Sequence, residues 1–502
     1  ISARGGAQGG NGGRVETSGK TLVRRGVPDV SAPKGKAGTW LLDPDYILIT
    51  NGVPETPALG DGSILAGDPG GVTEVFTHEL ENFSGHIMLE ANHAILAGGE
   101  YSYDLYLGSD LTLRTLNTTE PPATPPAPFT NASRGIDLSR IGVLTILDSE
   151  GAQRQVNIQA GTPGNATSGV SLKLNDIYTA TSSLSGGMGG GAVTLRSAGN
   201  LWAGGIYTNH YGTVAGAGGD VTIEARYGHV RVGAINTTAR QSYDSHIVGP
   251  NGRAGNITIE GKTVNLTGDI VADGYAHASL GSAPGNITIR SGLNCDASCN
   301  GTDTLWIGVE QMSPDSAMLP MGYDGPSPIM ISALSGHASS TGEPVDGGTI
   351  VLEAMAGNIG FEPDQYVQIH ASGRENDISH SVLTSSKGGT VRVKALAGSI
   401  QGGSLNIDVS GGDATDGNGD GIPDGRRGGD GGTAELSAVT GIALADSLVI
   451  RANGGRGGWI ASEPMGPRTE GPAPPSARAG EGGHGGSVTV STTSGSLLAD
   501  TY

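Results

Sequence analysis

Along much of the chain, apolar and polar residues alternate one by one in short runs, and each run is entered through two small residues. In VTIEA, Val221, Ile223 and Ala225 fall on one side while Thr222 and Glu224 fall on the other, the period of two that a half-buried strand requires. The unit of two small residues, an alternating strand, a turn and a second short strand then repeats. It reads GGAVTLRSAGNLWAGGI from Gly190, GGDVTIEARYGHVRVGAI from Gly218, AGNITIEGKTVNLTGDIVADG from Ala254 and PGNITIRSG from Pro284. Later copies begin at Gly347, Gly388, Gly431 and Gly485, and SGHIMLEANHAILAGG from Ser84 is an earlier, looser one. No stretch of useful length carries a helical period.

Each unit is too small to bury its own apolar face, so neighbours must stack into a continuous core. The pattern therefore predicts an all-β parallel β-helix, a β-solenoid, running as a single unit over 1–502. The repeats are clearest over 84–100, 186–310 and 345–502. Spacing between copies varies, and the excess falls in Gly/Pro-rich loop insertions near 117–135, 311–330, 412–430 and 461–485. A β-propeller would require a more regular period and more aromatic residues.

Composition sharpens this picture. Among 502 residues there are 88 Gly but only 4 Trp, 4 Phe and 13 Tyr, so the core must be aliphatic. The formal charge of −20 repels nucleic acid and anionic membranes, which excludes both as expected partners. No apolar run approaches a membrane span of about 18 residues.

Candidate chemistry is sparse. Cys295 and Cys299, the two cysteines, are expected to close a local disulfide loop, with two free thiols as the alternative. DGNGDGIPDG from Asp416 sets Asp416, Asn418, Asp420 and Asp424 at positions 1, 3, 5 and 9 of an EF-hand-type loop, with the Ile422 carbonyl at 7. This predicts a Ca2+ site that stiffens an insertion. Arg427 stands where the bidentate Glu belongs, so Asp413 or Asp430 would have to replace it, and a solvated Asp/Gly turn is the competing reading. A polysaccharide-acting enzyme is the alternative function, because such chemistry also occurs on β-helices. It needs clustered carboxylates, whereas the acidic residues here are spread along the chain. No enzymatic activity is expected.

The N-terminal stretch is the most distinctive. It reads GGNGGRVETSGKTL from Gly9 and SAPKGKAGTWLLDPDYILIT from Ser31. The pairing of G-G-x-V-E-T-S-G-K with A-G-T-W-L-L-D-P resembles the filamentous haemagglutinin family, large exoproteins of Gram-negative bacteria exported by two-partner secretion. The match covers roughly residues 9–50. It implies a right-handed parallel β-helix, an outer-membrane transporter as partner, and an extracellular, cell-surface protein acting in adhesion. Trp40, Leu41 and Leu42 are expected to form a packed strand or corner anchor.

The last copy stops at LLADTY and the first residues read ISARGG, so the two would complete a coil if joined head to tail. Ile1, Ala3, Leu497, Leu498 and Tyr502 are thus the expected contacts of a filament of like chains, with a segment of a longer parent exoprotein as the alternative. The expected function is a secreted structural or adhesive β-helix, with a surface or glycan receptor as a further expected partner. A stalk presenting a C-terminal effector is the remaining alternative.

Overall fold

The computed structural model describes residues 1–19, 27–51, 72–117, 124–130, 134–146, 153–162, 169–179, 189–211, 216–240, 252–274, 282–296, 299–308, 328–336, 345–374, 385–414, 427–457 and 481–498. Every strand pairing among them is parallel, and apart from the short separate pair His210–Tyr211 and Ala239–Arg240 the strands stack into three ladders. The chain is a parallel β-helix.

The first ladder holds thirteen described strands. It starts at Arg14–Ser18, passes through Thr39–Asp43, His86–Ala91, Leu111–Thr115, Val156–Ala160 and Val193–Ser197, and ends at Thr433–Ala438 and Ser487–Thr492. The second ladder starts with Tyr46–Thr50 and ends with Leu497–Leu498. Val221–Val232 and Ile257–Leu266 run unbroken round the corner from the first ladder to the second, merging the two into one 24-stranded sheet. The third ladder is a 10-stranded sheet from Tyr103–Leu107 to Leu448–Arg451. At about 4.8 Å per rung, the first ladder is about 60 Å long.

Alternation explains the core. Leu113, Ile158, Leu195, Ile223, Ile259 and Ile289 stand on successive rungs, all fully buried, and each is worth about 1.5–3 kcal/mol of burial. Residues between them point out and pair along the axis. Arg196 Nε lies 3.1 Å from Glu224 Oε2, Arg226 reaches Glu224 at 3.1 Å and Glu260 at 2.7 Å, and Arg290 lies 3.0 Å from Glu353. These half-exposed pairs contribute about 1 kcal/mol or less each. Their chief effect is on register, since a one-residue slip would bury the charges.

Side-chain oxygens of Asp and Asn serve as extra rungs at the corners. Asp220 Oδ1 accepts the Asn256 N–H at 2.7 Å, Asn256 Oδ1 accepts that of Asn286 at 3.0 Å, and Asn286 Oδ1 accepts that of Thr349 at 3.1 Å. This accounts for the GGD and GN starts of successive repeats.

The glycine pairs have a further cause. Where the third ladder hands over to the next first-ladder strand, outgoing and returning arms of the chain interleave. Gly412 N–H donates to Ser386 O at 2.8 Å, Gly429 to Gly412 at 2.9 Å, Gly455 to Gly429 at 2.8 Å and Gly483 to Gly455 at 2.8 Å. Backbones approach so closely that an added Cβ at Gly412, Gly429, Gly455 or Gly483 would collide with main-chain atoms of the adjacent arm.

At the N-terminal end the chain doubles back. Val72–Phe76 pairs with Tyr46–Thr50 on the side opposite Ala94–Gly98. The five-residue helix Thr77–Glu81 then packs beside Tyr103–Leu107 and buries Leu80 completely. Trp40, Leu41 and Leu42 are buried in Thr39–Asp43, and the Trp40 ring meets Phe83 at 5.5 Å between centroids.

Candidate functional site

Nine of the segments outside the described residues have one place in the chain path, between the third ladder and the first. Residues 147–152, 180–188, 212–215, 241–251, 275–281, 337–344, 375–384, 415–426 and 458–480 lie outside the described residues, but both flanks of each are described. Each lies between a third-ladder strand and the next first-ladder strand, with His210–Tyr211 and Ala239–Arg240, a short pair of their own, standing before 212–215 and 241–251. The insertions expected near 412–430 and 461–485 overlap two of these segments. Those near 117–135 and 311–330 fall instead between first and second ladder and between second and third.

Asp416, Asn418, Asp420, Ile422 and Asp424, the expected calcium ligands, lie outside the described residues. Their flanks are visible. Asp413 Oδ1 accepts the Arg456 N–H at 2.6 Å, while Asp430 Oδ1 accepts the His484 N–H at 2.8 Å and pairs with Arg427 at 2.5 Å. The two carboxylates considered as substitutes for the missing Glu thus already bind the interleaved arms. The bond from His484 holds the Asp430 carboxyl below the usual range. Among the described residues, no three His, Cys, Asp or Glu side chains are grouped to hold a metal ion.

Cys295 and Cys299 are joined, with Cα atoms 5.8 Å apart, in the connection between Ile287–Ser291 and Asp303–Ile307. Of the end residues, Ile1 is 87% exposed, Leu497 46% and Leu498 63%; Ala3 is partly buried, and Tyr502 lies outside the described residues. The ends are unlike each other. At the N-terminal end Val72–Phe76 covers the second ladder and helix Thr77–Glu81 sits beside the third.

One polar cluster gathers residues from distant coils. Ser332, His370, Asp408 and Arg451 stand on successive rungs of the third ladder. Asp273 is buried beside them, accepts the Leu334 N–H at 2.8 Å and lies 3.9 Å from Arg374. Burial pushes the Asp273 carboxyl up and the His370 imidazole down, although Asp408 and Asp273 pull the latter upward. A hydrogen bond from Ser332 partly offsets the upward push on Asp273, while His370 Nε2 has no hydrogen-bond partner among the described residues. Sugar hydrolysis would require two carboxyls about 5–9.5 Å apart. Asp273 and Asp408 belong to strands three rungs apart, roughly 14 Å along the axis. Sequence spacing gave no signal of this cluster, because its members meet only through stacking.

Comparison with known protein families, with curated proteins and with solved structures found no match for this chain. No helix among the described residues is long and apolar enough to cross a membrane.

Proposed function

We propose that the chain is an extracellular structural or adhesive rod, in which the β-helix is scaffold and the segments between its third ladder and its first make contact with other surfaces. The observation that carries this reading is the placement of the flanks: nine segments outside the described residues each fall between a strand of the third ladder and the next strand of the first. Connections between ladders vary in length at little cost in stability, and repeating at the same place on successive coils they are suited to meet one surface together. The motif at residues 9–50 supports the same reading through its resemblance to secreted adhesins, which also implies an outer-membrane transporter and a bacterial cell-surface location. Antibody raised against the folded chain tests the location. It should label intact producing cells, and labelling only after lysis would overturn the proposal.

Calcium at residues 416–424 and end-to-end joining through Ile1, Ala3, Leu497 and Leu498 are separate proposals within this reading. Calorimetric titration with Ca2+ tests the first, and absence of a binding heat would refute it. Light scattering over a wide concentration range tests the second: growth with concentration supports a filament, and a constant monomer mass refutes it.

A further inference from the structure

The second ladder bears an outward column in which Lys173, Trp202, Arg231, Asn265 and Trp306 occupy successive rungs. Their inward neighbours Leu172, Leu201, Val230, Val264 and Leu305 are all buried, so alternation turns the column to solvent. Lys173 Nζ stands 5.4 Å from the Trp202 ring centroid and also reaches Asp137 at 3.9 Å. Arg231 follows Trp202 directly, and its guanidinium has no ion-pair or hydrogen-bond partner among the described residues. Trp306 lies across Gly360, where an added Cβ would sit 2.5 Å from its ring, and its Nε1 has no acceptor among the described residues.

An indole between two cations is unexpected on the surface of a chain carrying −20. Elsewhere on the rod, cations such as Arg196, Arg226 and Arg290 are paired with Glu. A partly exposed aromatic ring stacks against the C–H face of a pyranose. A guanidinium one rung away, at about 4.8 Å, is placed to take a carboxylate or sulfate on that sugar with two parallel hydrogen bonds. An extended pyranose chain advances by about one rung per sugar, so the partly exposed faces of Asn265 and the Trp306 ring would lie beside the following units, although Asn265 Oδ1 and Trp306 Nε1 are themselves buried. Nucleic acid is the poorer fit, since two cations over five rungs do not match a phosphate at every unit and the net charge repels a dense polyanion.

We propose that this column binds an acidic oligosaccharide, with Trp202 as the stacking platform and Arg231 as the anion contact. The proposal rests on the reading of the chain as a rod that meets extracellular surfaces, and it names the class of ligand. The test titrates the full chain with tetragalacturonate, a sulfated heparin tetrasaccharide and neutral cellotetraose, followed by calorimetry and tryptophan fluorescence. At least one acidic tetrasaccharide should bind, and cellotetraose should bind at least about tenfold more weakly. Trp202→Ala and Arg231→Gln should each weaken acidic binding about tenfold, and Arg231→Gln should also erase the preference over cellotetraose. Glu435→Gln, on the first-ladder face, should change nothing. Melting curves confirm that each variant folds, and Lys173→Gln, at an exposed site, serves if Trp202→Ala does not. Binding of neither acidic tetrasaccharide, wild-type affinity in both variants, or tighter binding of a single-stranded oligonucleotide would overturn the proposal. Should that happen while intact producing cells are still labelled, the rod reading stands and only the ligand assignment falls.

Discussion

An alanine at Gly455 would strike the interleaved arms where they are closest. Gly455 is buried, its N–H donates to Gly429 O at 2.8 Å, and its carbonyl accepts the Gly483 N–H at 2.8 Å. A Cβ there would lie 2.5 Å from the Gly412 carbonyl carbon and nearer still to its oxygen. Ordinary carbon contacts lie at about 3.5–4.0 Å, so the arms must part by about 1 Å or more. Two hydrogen bonds worth about 1 kcal/mol each are then stretched or lost, and the desolvated backbone groups they leave raise the total to about 2–4 kcal/mol. Urea unfolding of Gly455→Ala should show that loss. Hydrogen exchange should place it in 427–432 and 481–486, since each repeat couples mainly to its neighbours. Gly108→Ala is the control: Gly108 is exposed, and an added Cβ meets nothing within 4 Å, so stability should stay within about 0.5 kcal/mol. Equal stability of the two variants would refute the interleaving as the reason for the glycine pairs.

Three other outcomes follow from the same structure. Ile259→Ala empties a fully buried site between Ile223 and Ile289 and should cost about 2–5 kcal/mol in urea unfolding. Arg226→Gln breaks contacts with Glu224 and Glu260 but should cost about 1 kcal/mol or less, a loss that shrinks at high salt, because the arginine is half exposed. The third concerns pH. Burial holds the folded His370 below its ordinary value of 6.5, so the unfolded chain takes a proton that the folded one refuses, and stability falls as pH drops below that value. Asp273, raised above 3.8, acts in the opposite sense, favouring the fold as pH falls toward that value. Urea midpoints at roughly pH 7.5 and 5.5 should therefore differ less in His370→Gln than in the native chain.

How much of this was legible in the sequence depends on range. The period of two in VTIEA and its copies identifies the strands, and the need to bury each unit's apolar face leads to stacking. The Gly pairs stand out as repeats, but their packing against backbone two arms away depends on coils of unequal length, from 24 residues between Glu90 and Arg114 to 63 between Arg290 and Glu353. The same irregular spacing conceals every axial column. Trp202 and Arg231 are unremarkable in sequence and become neighbours only through register, as do Asp273, His370 and Asp408. Insertions could be recognised from Pro and Gly, but which ladders each one joins could not, because that requires knowing which ladder each flanking strand enters.

The division of labour between scaffold and connecting segments is tested most directly by trimming those segments. Residues 375–384, 415–426 and 458–480 would each be replaced by a short Asn-Gly turn in the full chain, and the trimmed rod compared with the native chain for retention on the outer surfaces of producing and neighbouring cells. Trimmed rods should keep the native circular dichroism and urea midpoint but lose most of their retention. Retention equal to that of the native chain, on a rod shown to be folded, would contradict the assignment of surface contact to those segments.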